Sequence, residues 1–354
     1  MNPGRAIRAA SATLVAVVPL TIFASDATPV ASPIATPVSD VLPVDMVAQL
    51  TGYGGINDTV ARYGMYGTDL GHTFMVGDEM YMIFGDTFGA NGSDWRSSAA
   101  AVITDDDPAD GLAFDRMITD HDGHAAELIP SKKIDFDEIT VIPTYGVAVG
   151  DRLFLHYMSV EHWGDPGHWD LGSSGWAYSD DAGQTWTRDV TATWPADSNF
   201  GQVAIEEHDG YLHIFGIPGG RFGGVHLART RPEDLLGIDS YEYWTGAGWT
   251  TGDPAAAATI VPAPVGELSV RWNAYYDSWV MMYLNEDRSA IVLRLAEEIT
   301  GPWSDERIVT TGVEHPALYA PYQFPKWNDG PDIYFTMSMF GPYQVYLMKT
   351  SLPE

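Results

Sequence analysis

A hairpin pattern between Tyr66 and Phe88 is the clearest alternation of apolar runs and breaks in the chain. Two short apolar runs, 73–76 and 80–84, are separated by a Gly-Asp-Glu turn, and a glycine ends the second run. Asp69 lies before the first run and Asp86 follows the second. Because the two predicted strands are antiparallel, both aspartates emerge at the same edge of the sheet. The pattern therefore predicts two carboxylates that face one pocket; the alternative is that both only close turns by bonding to backbone.

The same unit, a turn with Gly or Asp followed by a strand rich in Tyr, Phe, Met and Leu, recurs along the chain. Its copies are 77–84, 150–158, 208–215, 276–284 and 331–337. They start roughly fifty to seventy residues apart, which fits five four-stranded sheets, each burying its faces on its neighbours. We therefore predict an all-β fold, a five-bladed β-propeller. A two-sheet sandwich is the alternative, but it rarely extends over about 310 residues in one domain.

One motif supports the propeller independently. Residues 179–186, Ser-Asp-Asp-Ala-Gly-Gln-Thr-Trp, resemble the Asp-box of sialidase-like and other propellers. In that motif the Asp and Gly form a hairpin turn and the Trp packs between strands. The resemblance implies that Asp181 has a structural role and is not catalytic.

Composition narrows the class of partner. The chain has 354 residues, of which 45% are hydrophobic and 12% are aromatic. Aromatic side chains in this number suit both a β core and a carbohydrate-binding cleft, because sugar faces stack on rings. A formal charge of −30 argues against nucleic acid and against anionic lipid as partners. No feature indicates an oligomer, so we expect a monomer.

The first residues are typical of an export signal. Arg5 and Arg8 precede an apolar stretch, 9–23, and small residues follow it. We predict a signal peptide over residues 1–25, cleaved near residue 25, and a secreted protein. The apolar stretch is short for a membrane-spanning helix, so no stable membrane insertion is expected after cleavage.

Two further boundaries follow from composition. Residues 26–43 are rich in Pro, Thr and Ser and are predicted to form a disordered linker. Residues 44–354 are predicted to form the propeller domain. The chain has no Cys, which excludes disulfides and a lipid-modified amino-terminal cysteine.

No metal or cofactor site is evident. His121 with His124, and His162 with His168, lack the spacing of a zinc site. The sequence has no Gly-x-Ser-x-Gly elbow, P-loop or dinucleotide fingerprint, so we expect that no cofactor is required. A structural Ca²⁺ in the central channel remains an open alternative, because propellers often hold one and oxygen ligands are abundant.

A secreted, acidic, aromatic-rich β protein with carboxylates at strand ends suits glycoside hydrolysis. That reaction needs one carboxylic acid to protonate the leaving oxygen. It also needs a second carboxylate, which activates water or attacks the anomeric carbon. A polysaccharide is therefore the expected partner.

Four separated motifs carry a family resemblance. They are 66–71 (Tyr-Gly-Thr-Asp-Leu-Gly), 84–88 (Phe-Gly-Asp-Thr-Phe), 219–229 (Gly-Gly-Arg-Phe-Gly-Gly-Val, then Leu-Ala-Arg) and 269–273 (Ser-Val-Arg-Trp-Asn). In this order, from about Tyr63 to Thr350, they resemble the domain of unknown function 4185 family, whose members are recognised as endo-D-arabinanases of glycoside hydrolase family 183 with a five-bladed propeller. The resemblance implies cleavage of the α-linked D-arabinofuranose polymers of mycobacterial arabinogalactan and lipoarabinomannan.

Carried over to this chain, the resemblance implies that Asp69 and Asp86 are the catalytic pair. One of them should lie in a drier environment that raises its pKa, so that it acts as the acid, while the other stays ionised. The sequence does not assign the two roles, nor whether the anomeric configuration is retained or inverted.

Further residues are candidates for substrate binding. Arg221 and Arg271 could hold a carboxylate ionised and donate to sugar hydroxyls, or could tie blades together. His72 could bind substrate or pack at a blade end. The loop residues predicted to line subsites are Trp163, Trp169, Tyr319 and Tyr322.

Other functions remain open at this stage. The chain could act on another furanoside polymer, or bind polysaccharide without cutting it. A sialidase-like activity is disfavoured, because it needs a cluster of arginines for the substrate carboxylate.

Overall fold

The computed structural model describes residues 41–353, which are built almost entirely from strands. In chain order the strands are β1 Val44–Gln49, β2 Leu70–Val76, β3 Glu79–Phe84, β4 Ala99–Ile103, β5 Arg116–Met117, β6 Thr140–Val149, β7 Arg152–Trp163, β8 Trp169–Ser179, β9 Thr187–Pro195, β10 Gln202–His208, β11 Tyr211–Ile217, β12 Gly223–Thr230, β13 Glu242–Trp244, β14 Trp249–Thr251, β15 Thr259–Val265, β16 Leu268–Asn273, β17 Ser278–Asn285, β18 Ala290–Ala296, β19 Arg307–Thr311, β20 Leu318–Gln323, β21 Asp332–Met339 and β22 Gln344–Ser351. One short helix, α1 (Thr59–Tyr63), joins them. The 3₁₀ turns are Ala90–Gly92, Pro232–Asp234, Ile238–Ser240, Pro254–Ala256 and Glu286–Arg288.

The strands form five antiparallel sheets, which are the five blades of a β-propeller. Blade I is β2-β3-β4-β5, and blade II is β6-β7-β8-β9. Blade III is β10-β11-β12-β13-β14, with β15 also paired to β12, and blade IV is β16-β17-β18-β19. Blade V consists of β20-β21-β22 and, as its outer strand, the amino-terminal β1. The two ends of the domain therefore share one sheet, which closes the ring.

The five copies of the repeat predicted from the sequence correspond to β3, β7, β11, β17 and β21, the second strand of every blade. These strands read as continuous apolar runs because neighbouring blades cover both of their faces. In β17, Val280 and Met282 pack in one core cluster with residues of blade V. Met281 and Tyr283 point the other way, into a cluster with residues of blade III.

The innermost strands β2, β6, β10, β16 and β20 surround the central axis, and Arg271 of β16 ties four of the blades together. It forms an ion pair with Glu206 of β10 and donates to the hydroxyl of Tyr145 of β6 at 2.8 Å. It also contacts the carbonyl oxygen of Thr73 of β2 at 3.4 Å. Both side chains of the ion pair are largely buried, and the guanidinium group is engaged in these contacts between blades.

The Asp-box lies in the turn between β8 and β9. Asp181 accepts hydrogen bonds from the hydroxyl of Ser179 at 2.8 Å and from the amide of Thr185 at 2.9 Å. The indole of Trp186 donates to the carbonyl oxygen of Gly183 at 3.0 Å. Asp181 therefore closes a turn, as the sequence predicted.

The predicted signal peptide and residues 26–40 of the predicted linker lie outside the described residues. The last linker residues, 41–43, pack on the propeller: Leu42 is buried, and its amide donates to the carbonyl oxygen of Ile308 at 2.7 Å. The carbonyl oxygen of Pro43 accepts from the hydroxyl of Thr350 at 2.6 Å. Within residues 41–353, no helix has the length and apolar character needed to cross a bilayer.

Candidate active site

A cavity of about 1040 Å³ opens at one face of the propeller. Its lining comes from segments that precede the first strand of a blade and from loops that join the second strand to the third. In an antiparallel blade these two positions lie at the same end of the sheet. The topology therefore brings residues from all five blades to one site, although they are far apart in sequence.

Asp69 lies directly before β2 and lines this cavity. The hydroxyl of Tyr319 donates to its Oδ2 at 2.9 Å, whereas its Oδ1 is buried and has no hydrogen-bond partner among the described residues. Burial, followed by the negative charge of Asp86, raises the pKa of Asp69 to about 7. This carboxyl group therefore holds a proton at a higher pH than an exposed aspartate does.

Asp86 lies just beyond the end of β3 and lines the same cavity. Its Oδ1 accepts from the indole of Trp95 at 2.7 Å and from the hydroxyl of Thr140 at 2.5 Å. Burial raises its pKa to about 6, and the two donors and the charge of Lys133 oppose that rise. Asp86 is thus held by two donors on one oxygen, unlike Asp69, and its pKa is raised less than that of Asp69.

The structure adds an ion pair of which only the arginine was predicted from the sequence. Glu267 lies directly before β16 and is 5% exposed. Its Oε1 accepts from Nε and Nη2 of Arg221, at 3.0 and 2.8 Å. Arg221 also donates to Glu286 at 3.2 Å, and both carboxylates line the cavity. The signal that could have found Glu267 is its position: it precedes an innermost strand just as Asp69 does.

Aromatic rings supply much of the remaining wall. Those that line the cavity are Tyr66, Phe88, Trp95, Trp163, Trp169, Tyr319, Phe340 and Tyr343. Phe340 stands at the rim and is 69% exposed, and Trp163 is also exposed. Exposed rings beside carboxylates are the features that bind and orient a sugar chain.

The structure brings together six of the nine residues proposed from the sequence for the site. Asp69, Asp86, Arg221, Trp163, Trp169 and Tyr319 line the cavity. His72, Arg271 and Tyr322 do not line it; they are buried on innermost strands near the axis. The ring of His72 stacks on Tyr145 at 5.4 Å, and burial lowers its pKa to about 3, so it is neutral. A direct contact of these three residues with substrate is therefore not supported.

Residues 41–353 can be searched for side chains that could bind a metal ion. In this part of the chain, no group of three or more His, Asp or Glu side chains is arranged to hold a metal ion. Ca²⁺ takes six to eight oxygen ligands, so these side chains alone do not form such a site. A structural Ca²⁺ stays a prediction.

A family model described as domain of unknown function (DUF4185) matches residues 54–349. The chain belongs to this family. The DUF4185 membership that the four sequence motifs predicted is thereby confirmed. Among curated proteins, the chain is similar to the notoamide biosynthesis cluster protein J of Aspergillus sp. (strain MF297-2), with 28% identity over 305 residues, 78% of this chain and 80% of that protein.

Solved structures share the fold of this DUF4185 protein. The exo-β-1,3-galactanase of Phanerochaete chrysosporium superposes with a TM-score of 0.54 at 9% identity, covering 87% of this chain and 64% of that one. The α-L-arabinofuranosidase of Podospora anserina superposes with a TM-score of 0.50 at 11% identity, covering 89% of this chain and 98% of that one. At such identities the likeness establishes the propeller fold.

Proposed function

We propose that this protein is a secreted glycoside hydrolase that cleaves internal α-D-arabinofuranosidic bonds of D-arabinan, the polymer of arabinogalactan and lipoarabinomannan. The observation that carries the proposal is that Asp69 and Asp86 line one cavity in different environments. Glycoside hydrolysis requires such a pair, one carboxyl protonated and one ionised.

The environments support an assignment of roles. Asp69 is buried, and its Oδ1 has no hydrogen-bond partner among the described residues, which favours its protonated form against the opposing effect of the tyrosine hydroxyls. It therefore acts as the general acid that protonates the leaving glycosidic oxygen. Asp86 has two donors on Oδ1, which favour its ionised form, and its Oδ2 makes no hydrogen bond among the described residues. That oxygen serves as the base toward water or as the nucleophile toward the anomeric carbon.

The charge of the cavity supports a neutral polymer as substrate. The carboxylates that line it are Asp69, Asp86, Asp165, Glu267 and Glu286, and among the described residues Arg221 is the one arginine in the lining. Because that arginine is bound to two glutamates, it is not available to a substrate carboxylate. This arrangement disfavours a sialidase-like activity and any other use of an anionic sugar.

The choice of D-arabinan and of internal cleavage rests on the family resemblance of the four sequence motifs. The two fold neighbours are an exo-β-1,3-galactanase and an α-L-arabinofuranosidase, which supports the broader class of glycoside hydrolases. The export-signal pattern in residues 1–25 supports secretion, which would bring the enzyme to an extracellular polysaccharide. We expect it to act as a monomer without a cofactor.

The experiment is to incubate the purified protein with arabinogalactan, lipoarabinomannan, a β-1,3-galactan, an L-arabinan and a sialoside, and to size the products. The expected result is a ladder of D-arabino-oligosaccharides from the first two substrates only. Release of arabinose monomers alone would contradict internal cleavage. Cleavage of another polymer in place of D-arabinan would contradict the substrate, and binding of D-arabinan without products would assign a binding role.

A further inference from the structure

Glu267 and Asp69 occupy equivalent positions in two different blades. Each is the residue directly before an innermost strand, β16 and β2, and each lines the cavity. The two carboxylates have different hydrogen-bond donors. Oε1 of Glu267 accepts two hydrogen bonds from Arg221, whereas Asp69 accepts from the neutral hydroxyl of Tyr319. Glu267 therefore has a cationic partner on one of its oxygens, whereas Asp69 has a neutral one.

A continuous set of contacts joins the ion pair to Asp69. The guanidinium carbon of Arg221 lies 4.8 Å from the centre of the Tyr319 ring, and the hydroxyl of that tyrosine donates to Asp69. Gly266 leaves room for the pair, because a β carbon there would lie 3.3 Å from Cγ of Arg221. Glu267 is therefore fixed in place beside the tyrosine that binds Asp69.

Two buried carboxylate oxygens in this cluster have no donor. They are Oδ1 of Asp69 and Oε2 of Glu267. A buried carboxylate oxygen without a donor makes the ionised form costly and favours uptake of a proton. Arg221 is a cationic partner for Glu267, whereas no cation forms an ion pair with Asp69 among the described residues, so a proton is better placed on Asp69.

We propose that Glu267 is a positioning residue: its negative charge, held in place by Arg221, favours the protonated form of Asp69 that the general acid requires. The role of Asp69 as a general acid rests on the proposed function. The effect of the Glu267 charge on the Asp69 carboxyl does not. The charged and titratable groups around Asp69 are Asp86, Arg221, Glu267, Tyr319, Tyr322 and Tyr343. Burial and then Asp86 contribute most to the raised pKa of Asp69, and Glu267 adds to it in the same direction.

The kinetic test is the pH dependence of kcat/KM on D-arabinan for the wild type, Glu267→Gln and Glu267→Ala. Removing the charge lowers the pKa of Asp69, so the alkaline limb of the profile should move to lower pH in both neutral variants. Glu267→Asp keeps the charge and should leave the limb near its wild-type position. An alkaline limb that stays in place in both neutral variants would overturn the proposal.

Glu286→Gln is the matched control, because Glu286 also binds Arg221 but is not one of the main influences on the pKa of Asp69. Its alkaline limb should coincide with that of the wild type. If the alkaline limb moved equally in Glu286→Gln, removal of either carboxylate partner of Arg221 would have the same effect. That result would also overturn the proposal.

A second readout does not depend on activity. The titration of the Asp69 carboxyl carbon can be followed by ¹³C NMR, with its signal assigned by its absence in Asp69→Asn. A lower pKa in Glu267→Gln supports the proposal even if D-arabinan proves not to be the substrate, and an unchanged pKa overturns it even if D-arabinan is cleaved. The failure of the proposed function and the failure of this inference are therefore separate results.

Discussion

Gly85 packs so closely against Asp69 that a β carbon on Gly85 would lie 2.4 Å from Oδ1 of Asp69. The amide of Gly85 also donates to the carbonyl oxygen of Asp69 at 3.2 Å. Gly85 immediately precedes Asp86, so the residue packed against Asp69 is the chain neighbour of the second catalytic candidate. The Gly-Asp pair of the sequence motif thus has a steric reason.

Substituting Gly85 with alanine should move Asp69 and impair catalysis more than folding. The added methyl group cannot fit without a shift of the Asp69 carboxyl, and a displacement on the order of 1 Å costs about 10²-fold in rate. We expect that loss in kcat/KM, with a small change in the free energy of unfolding. Gly248→Ala is the control, since a β carbon there meets no atom within 4 Å. Wild-type activity in Gly85→Ala would contradict the steric argument.

Substituting Thr140 with valine should shift the acidic limb of the pH–rate profile. The hydroxyl of Thr140 stabilises ionised Asp86, so its loss raises the pKa of Asp86 above about 6. Asp86 must be ionised to act, and the acidic limb should therefore move to higher pH by about one unit. Thr144→Val, a buried threonine on the same strand that bonds His156, is the control and should leave the limb in place.

The stability of the protein should depend on pH through Asp69. Its pKa in the folded protein, about 7, is above the ordinary aspartate value of 3.8, so the folded state binds more protons between these values. Stability from this group is therefore lost as the pH rises from about 4 to 7. Asp69→Asn, which cannot ionise, should be more stable than the wild type at pH 8, by on the order of 2 kcal/mol, and no more stable at pH 4.

Denaturant titrations of both proteins at the two pH values measure this difference. Asp181→Asn provides a contrast of opposite sign, because hydrogen bonds from Thr185 lower the pKa of Asp181. That variant should be less stable than the wild type at pH 8, and the difference should shrink as the pH falls. An Asp69→Asn variant with the same stability difference at pH 4 and pH 8 would show that the pKa of Asp69 is not raised.

Substituting Arg271 with methionine should destabilise the propeller. The change leaves Glu206 buried without its partner, at a cost of about 3–5 kcal/mol in the free energy of unfolding. Urea denaturation measures the loss, and the double variant Arg271→Met, Glu206→Gln should recover a large part of it. If the single variant is as stable as the wild type but binds substrate more weakly, Arg271 is a binding residue, as the sequence first suggested.

The sequence predicted the strands and the carboxylate pair for related reasons. The second strand of each blade is covered on both faces, so it appears as an apolar run that needs no alignment to detect. Asp69 and Asp86 flank one hairpin, and antiparallel pairing alone places them together. The gathering of loops from five blades around this pair is a long-range effect that no local pattern contains.

A simple geometric reason explains why two of the proposed binding residues do not line the cavity. His72 lies three residues after Asp69, and Arg271 lies four residues after Glu267, on innermost strands that run away from the cavity. At about 3.3 Å per residue, these side chains are roughly 10 to 13 Å deeper along the strand. The sequence shows that these residues are close to Asp69 and Glu267 along the chain. It does not show that their side chains lie deeper along the strand than the cavity lining. Glu267 was missed because a lone Gly-Glu-Leu carries no motif.

The most direct test of the central claim compares turnover and binding in Asp69→Asn and Asp86→Asn. Each variant, confirmed as folded by circular dichroism, is assayed for release of D-arabino-oligosaccharides from arabinogalactan and for binding to it by affinity electrophoresis. The account predicts a loss of about 10²–10⁴-fold in turnover for each variant, with binding retained. Turnover close to the wild-type value in either variant would contradict the assignment of the two aspartates as the catalytic pair.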